Sequence, residues 1–164
     1  AHAGVGITVL GIVAATAWNT EQIVALEPGQ SVEVAGYELT FRGVVPRAGP
    51  NYRDEVGLFD VSRDGRARGT MESARRIYLA SGQPTTEAGI RTIWLSQLYV
   101  SLGDDLTAGG TAVRIYYKPL ITLIWLGALV MAAGGALSLL DRRLRVGAPT
   151  PARQRRAAVA SAAE

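Results

Sequence analysis

No cysteine occurs among the 164 residues, which excludes disulfides, thiolate metal sites and cysteine nucleophiles from this chain. Histidine is almost as scarce, and its single copy is His2. A serine hydrolase with a histidine base therefore cannot be assembled within residues 19–118. Charge is missing from two long stretches, residues 3–18 and 119–140, although the chain carries 17 Lys and Arg and 14 Asp and Glu. Averages hide this arrangement. Apolar residues gather near both ends while charge fills the middle and the tail, as in a membrane protein with one large loop. The first apolar run has neither a basic segment before it nor a small-residue cleavage site after it. It does not read as a secretory leader, and the chain is expected to be the C-terminal piece of a larger polytopic protein.

At a rise of about 1.5 Å per residue, residues 119–140 reach roughly 33 Å, enough for a hydrocarbon core of about 30 Å. Residues 3–18 reach only about 24 Å, so a further turn or two is expected upstream. Tyr116, Tyr117 and Lys118 stand before the second run and Trp18 closes the first, placing amphipathic side chains where headgroups would lie. After the second run comes Asp141-Arg142-Arg143-Leu144-Arg145, and residues 141–164 hold six Arg against two acids. The positive-inside rule makes that end cytoplasmic. Residues 19–118, with 11 basic and 12 acidic side chains, are then exported, and in a bacterium periplasmic. Two helices buried in a soluble protein would show similar runs, but so small a domain can hardly bury 22 uncharged residues all round a helix.

The expected layout is thus a membrane α plus β chain. Residues 1–18 form a transmembrane helix, 19–118 a periplasmic β-rich domain, 119–140 a second transmembrane helix, and 141–164 a basic cytoplasmic tail without fixed structure. The tail arginines at 142, 143, 145, 153, 155 and 156 are primarily a topology signal, with anionic membrane lipid as a partner and no nucleic acid. Gly127, Ala128, Ala132, Gly134, Gly135 and Ala136 predict close helix packing in the second span.

Within the exported domain apolar residues step by two. Tyr37, Leu39, Phe41 and Val45 alternate with polar neighbours, as do Val113, Ile115 and Tyr117, which predicts half-buried strands. Asp64-Gly65, set between 56–62 and 66–72, signals a two-residue hairpin because both residues tolerate positive φ. Further strands are expected over 75–80, 89–93 and 95–102, separated by turns at 48–51 and 81–84. Six to eight short strands predict an antiparallel sandwich or small barrel, with an OB-type barrel as one form.

Candidate chemistry is sparse. Asp60, Asp64 and Glu72 lack the spacing of an EF-hand loop, and Asp64 has a turn to make. Gly4-Val5-Gly6 lacks the third glycine and the preceding strand of a dinucleotide fingerprint. His2 carries the leverage. An imidazole within a hydrophobic span binds a metal or cofactor, relays protons, or hydrogen-bonds across helices. Gly6, one turn later on the same face, would let a flat macrocycle approach, and bis-histidine ligation would need a partner from outside this chain.

Several stretches resemble the C-terminal region of the CcmF family. They are His2-x-Gly4-Val5, Gly49-Pro50-Asn51-Tyr52, Thr86-Glu87-Ala88-Gly89-Ile90, Gln97-Leu98-Tyr99-Val100-Ser101-Leu102-Gly103, and Val113-Arg114-Ile115-Tyr116-Tyr117-Lys118-Pro119. The last runs on through Ile124-Trp125-Leu126-Gly127 and Gly134-Gly135 to Asp141-Arg142-Arg143. The resemblance covers about residues 2–145. It implies a haem lyase subunit of the bacterial inner membrane that takes haem from a periplasmic haem chaperone to apocytochrome c, together with other cytochrome c maturation subunits. It also implies a haem b held between two membrane histidines, with His2 as an axial ligand of the haem iron and Gly6 allowing close approach. The family's tryptophan-rich haem-handling motif and its other histidines have no counterpart here, so no catalytic residue is expected in this chain and it should be inactive alone. A different class remains open: a non-catalytic membrane assembly or transporter subunit whose β-domain binds a partner. In either case a docking surface for apocytochrome c or a partner subunit is expected on the face bearing Arg42, Arg47 and Arg53.

Overall fold

The computed structural model describes residues 2–106 and 109–140. Its centre is a meander of three long strands, β3 (Tyr37–Ala48), β4 (Tyr52–Arg63) and β5 (Arg66–Tyr78). The turn between β4 and β5 is the Asp64-Gly65 pair, at φ 52° and 68°, the left-handed conformation a two-residue hairpin with right-handed strand twist demands. β4 and β5 pair from Arg63↔Arg66 to Tyr52↔Tyr78. The two strands expected over 66–72 and 75–80 are therefore one, because a partner of matching length lies alongside throughout. β2 (Ser31–Val34) and β6 (Pro84–Glu87) close the two edges of this five-stranded sheet.

A second sheet has the order β1 (Thr20–Leu26), β9 (Thr111–Lys118), β8 (Ser96–Asp105), β7 (Gly89–Ile93), all antiparallel. Two separate sheets stacked face to face make a sandwich, and the OB-type barrel is set aside. Leu39, Phe41, Phe59, Val61 and Met71 of the first sheet meet Leu98, Val100, Leu102, Val113 and Ile115 of the second in one buried cluster. Phe41 and Phe59 pack with ring centroids 5.2 Å apart. Each large side chain buried here contributes about 1.5–3 kcal/mol. Ser73 staples the layers: its Oγ accepts from the Leu102 N–H at 2.9 Å and donates to the Glu87 carbonyl at 2.9 Å.

Alternation holds for Tyr37, Leu39 and Phe41, which are buried, but Val45 is 44% exposed. The register shifts between Phe41 and Gly43, where Gly43 sits at φ 118°. The extra residue of this bulge resets which side chains face inward, so counting by twos across it fails.

β1 pairs with β9 from Thr20↔Tyr117 to Leu26↔Thr111, which brings α1 (His2–Ala17) and α2 (Leu123–Leu140) out side by side from one end of the sandwich. α2 is long and apolar enough to cross a membrane, while α1 is a shorter apolar helix. α2 starts four residues later than the apolar run. Residues 119–122 form turns with Leu120 at φ 54°, and Leu123 N–H and Ile124 N–H bond to the carbonyls of Leu120 and Ile121. The helices cross on glycine. A methyl group on Gly4 would lie 2.6 Å from Gly127 O, and one on Gly11 would lie 2.9 Å from Ile124 N. Gly11 thus meets the start of α2 and Gly4 its middle, around Gly127 and Met131, so the pair is antiparallel. Of the small residues in α2, Gly127 is the buried one, and Gly135 faces open space.

Candidate functional site

His2 and Gly6 stand on the same side of α1, one turn apart, and both are exposed. At 3.6 residues per turn this side lies roughly 160–200° round the helix from Gly4 and Gly11, the residues that touch α2. Val9 and Val13, also exposed at 52% and 48%, complete an apolar outward face. A side chain on Gly6 would find nothing within 4 Å, so the space beside the imidazole is open. Extending the contact between Gly4 and Met131 sets His2 roughly 15 Å along α2 from its first turn, away from either end of that helix. No group of three or more His, Asp or Glu able to hold a metal ion exists among the described residues. His2 is the only imidazole of the sequence.

Asp60, Asp64 and Glu72 are not brought together. Asp60 accepts from Arg42 at 2.6 Å, Asp64 lies 3.8 Å from Arg63 in the turn, and Glu72 lies 3.3 Å from Arg47. Arg42, Arg47 and Arg53 do not share a face. Register puts Arg47 beside Asp54 and Arg53 beside Ala48 and Ile77, on opposite sides of the sheet. The expected docking face is thereby divided. The tail arginines lie outside the described residues.

An arginine-rich cluster that sequence spacing does not reveal lies at the end of the sandwich remote from the helices. The Asp54 carboxylate is fully buried and accepts from Arg76 Nε at 2.8 Å, Arg76 Nη2 at 3.0 Å and Arg47 at 3.3 Å. Arg76 also stacks 3.8 Å from the Tyr52 ring centroid and reaches Glu87 at 3.4 Å. The hydrogen bond from Arg76 outweighs the cost of burial and holds the Asp54 carboxyl below the usual carboxylate range. On the other face of the sheet Arg75 joins Glu55 to Asp104 of the second sheet. Asp54 and Arg76 stand 22 residues apart, and their pairing is visible once the β4 and β5 register is known. The cluster is a structural clamp with every carboxylate paired.

Residues 17–119, the whole sandwich, match the family model described as the CcmF C-terminal beta-sandwich. The chain belongs to the CcmF family. It is 57% identical over 154 residues to the cytochrome c-type biogenesis protein CycK of Rhizobium meliloti, covering 94% of this chain and 23% of that protein. It is 40% identical to the cytochrome c-type biogenesis protein CcmF of Pseudomonas aeruginosa over 94% of this chain and 23% of that protein, and 40% identical to that of Escherichia coli over 88% and 22%. A solved structure titled cytochrome c heme lyase CcmF superposes with a TM-score of 0.67 at 20% identity, over 84% of this chain and 23% of that one. It shows a shared fold. The CcmF-family chain described here spans about a quarter of the length of these relatives.

Proposed function

We propose that this chain is the C-terminal part of a haem lyase subunit acting in cytochrome c maturation, with His2 as an axial ligand of a membrane haem b. The carrying observation is the solitary imidazole on an apolar, outward face of α1, beside the gap at Gly6, in a chain of the CcmF family. The donor set fits one side of a haem. Neutral imidazole is a strong axial ligand, Gly6 leaves room for a flat ring, and Val9 and Val13 offer it an apolar, water-excluding wall. When bound, the haem supplies one-electron redox chemistry. His2 holds the iron from this chain, and the second ligand comes from another segment of the full-length protein.

In this reading residues 1–18 and 119–140 cross the bacterial inner membrane, 19–118 are periplasmic and 141–164 cytoplasmic. Support comes from the apolar α2, the apolar α1 packed against it, and the six arginines after residue 141. The sandwich then stands on the side where a haem chaperone, apocytochrome c and other maturation subunits are met. The test is the visible spectrum of the full-length protein purified with His2→Ala. A loss of most of the low-spin haem b absorbance is expected, and undiminished haem in the variant refutes the assignment, leaving the non-catalytic assembly role.

A further inference from the structure

Three turns lie at the helix end of the sandwich: Ala35-Gly36 after β2, Asp64-Gly65 after β4 and Trp94-Leu95 after β7. The last is unusual. β7 and β8 pair to Ile93↔Ser96, leaving a two-residue turn whose first residue is Trp94 at φ 55°. Glycine is the residue this position favours, and a bulky aromatic there costs conformational energy. The indole gains no packing in return, since Trp94 is 93% exposed. Strain without local compensation points to a contact outside the chain.

The level of that contact is set by geometry. Thr122 N–H donates to Leu95 O at 3.2 Å, tying the turn to the residues that lead into α2. Trp18, at the end of α1, is 61% exposed, and Trp125, in the first turn of α2, is 71% exposed. All three tryptophans of the sequence therefore ring the junction between sandwich and helices, the distribution of amphipathic rings at a headgroup layer. Behind Trp94 opens a cavity of about 540 Å³ lined by Tyr37, Arg63, Arg68, Arg91 and Ile93, with Asp64 as the acid on its wall. Arg63 donates to Tyr37 Oη at 2.7 Å and Arg91 Nη1 to the Arg68 carbonyl at 2.6 Å, whereas the Arg68 guanidinium has no partner among the described residues. Glu33 and Glu38 line an adjoining hollow on the β2 side, which shares Arg63 and Asp64 with this cavity. Three guanidinium groups around one cavity carry an excess of positive charge, and their planar forks match phosphate oxygens.

We infer that this rim is a phospholipid site: Trp94 inserts at the headgroup layer while Arg63, Arg68 and Arg91 hold the phosphate of an anionic lipid in the leaflet beneath the sandwich. The inference rests on the membrane-crossing part of the proposed function, and the site is distinct from His2. The lipid fixes the height and tilt of the sandwich over the membrane, a task the two short connections to the helices leave to the rim.

The test uses the full-length protein in nanodiscs containing phosphatidylglycerol and phosphatidylcholine, with retained lipid read by native mass spectrometry. Phosphatidylglycerol should be retained in preference. Arg68→Gln, which removes no contact within the chain, should reduce that retention about fivefold, and Arg63→Gln added to it about fivefold again, following the worth of a basic residue near an anionic surface. Trp94→Ala should also weaken it, while haem absorbance stays unchanged in all three. Retention unaffected by Arg68→Gln together with Arg63→Gln overturns the inference, as does displacement of the lipid by millimolar inorganic phosphate. Release of the whole protein from membranes by alkaline carbonate would overturn the membrane reading itself, and is separable from a protein that stays embedded without lipid preference.

Discussion

Gly127→Ala tests how the two helices meet. A methyl group there would lie 2.6 Å from Gly4 O and 2.7 Å from Thr8 N, short by 0.8 and 0.7 Å of the 3.4 Å at which ordinary contact begins, and would also strike Thr8 Oγ1. Two of these three atoms are backbone, so no rotamer change relieves the clash and the helices must separate by most of an ångström. Overpacking of this kind costs about 1–3 kcal/mol. Gly→Ala also favours the helix itself by about 1 kcal/mol, which would mask part of the loss. Gly135→Ala is the control, since that position gains the same helix propensity and meets nothing within 4 Å. The difference between the two variants isolates the packing term, about 2 kcal/mol, or roughly thirtyfold in the pairing equilibrium. Thermal unfolding of the detergent-solubilised protein should show Gly127→Ala several degrees below Gly135→Ala. Coincident midpoints would refute the glycine-on-glycine crossing.

The sandwich offers two further checks. Asp54→Asn should destabilise by about 2–3 kcal/mol, because Arg76 and Arg47 lose a charged acceptor inside the clamp, and Arg42→Ala by no more than about 1 kcal/mol, because its pair with Asp60 is exposed. Asp54 has a lowered folded pKa, so its stabilisation is fully present above the unfolded value near 3.9 and lost as pH falls through the folded one. The unfolding midpoint should therefore drop on acidification below about pH 4 by a larger step in the parent than in Asp54→Asn, and equal pH profiles would refute the clamp. Gly65→Ala, at φ 68° with open space around it, should cost about 1–2 kcal/mol from backbone strain alone, measured by urea unfolding.

Much of this molecule was legible in one dimension. Charge-free runs marked both helices, Asp64-Gly65 marked its hairpin, and period-two alternation marked β3 and β9, because each depends on residues adjacent along the chain. Pairing was not legible. Alternation says which side chains point inward but not which strand lies alongside, so β1 beside β9, 97 residues apart at Thr20↔Tyr117 and 85 at Leu26↔Thr111, emerged from the fold. The choice of sandwich over barrel followed from that long-range pairing, whereas the single β5 and the short edge strands β2 and β6 were set by how far each strand pairs with its sequence neighbour. The bulge at Gly43 reversed the inward phase and left Val45 exposed, an effect of one residue that no periodicity announces.

The candidate site divides the same way. His2 and Gly6 were evident as an imidazole and a gap one turn apart, since helical geometry alone relates them. That their face turns away from α2 depended on Gly4 and Gly11 taking the contact instead, which requires the partner helix. Nothing in the neighbouring residues marks Trp94, which takes its exposed place only because β7 and β8 close a two-residue turn and Leu95 bonds to Thr122. Local chemistry determined which elements form. Only the closing of distant strands decided which of their side chains share a surface, because that entropy is repaid by contacts between segments that sequence order keeps apart.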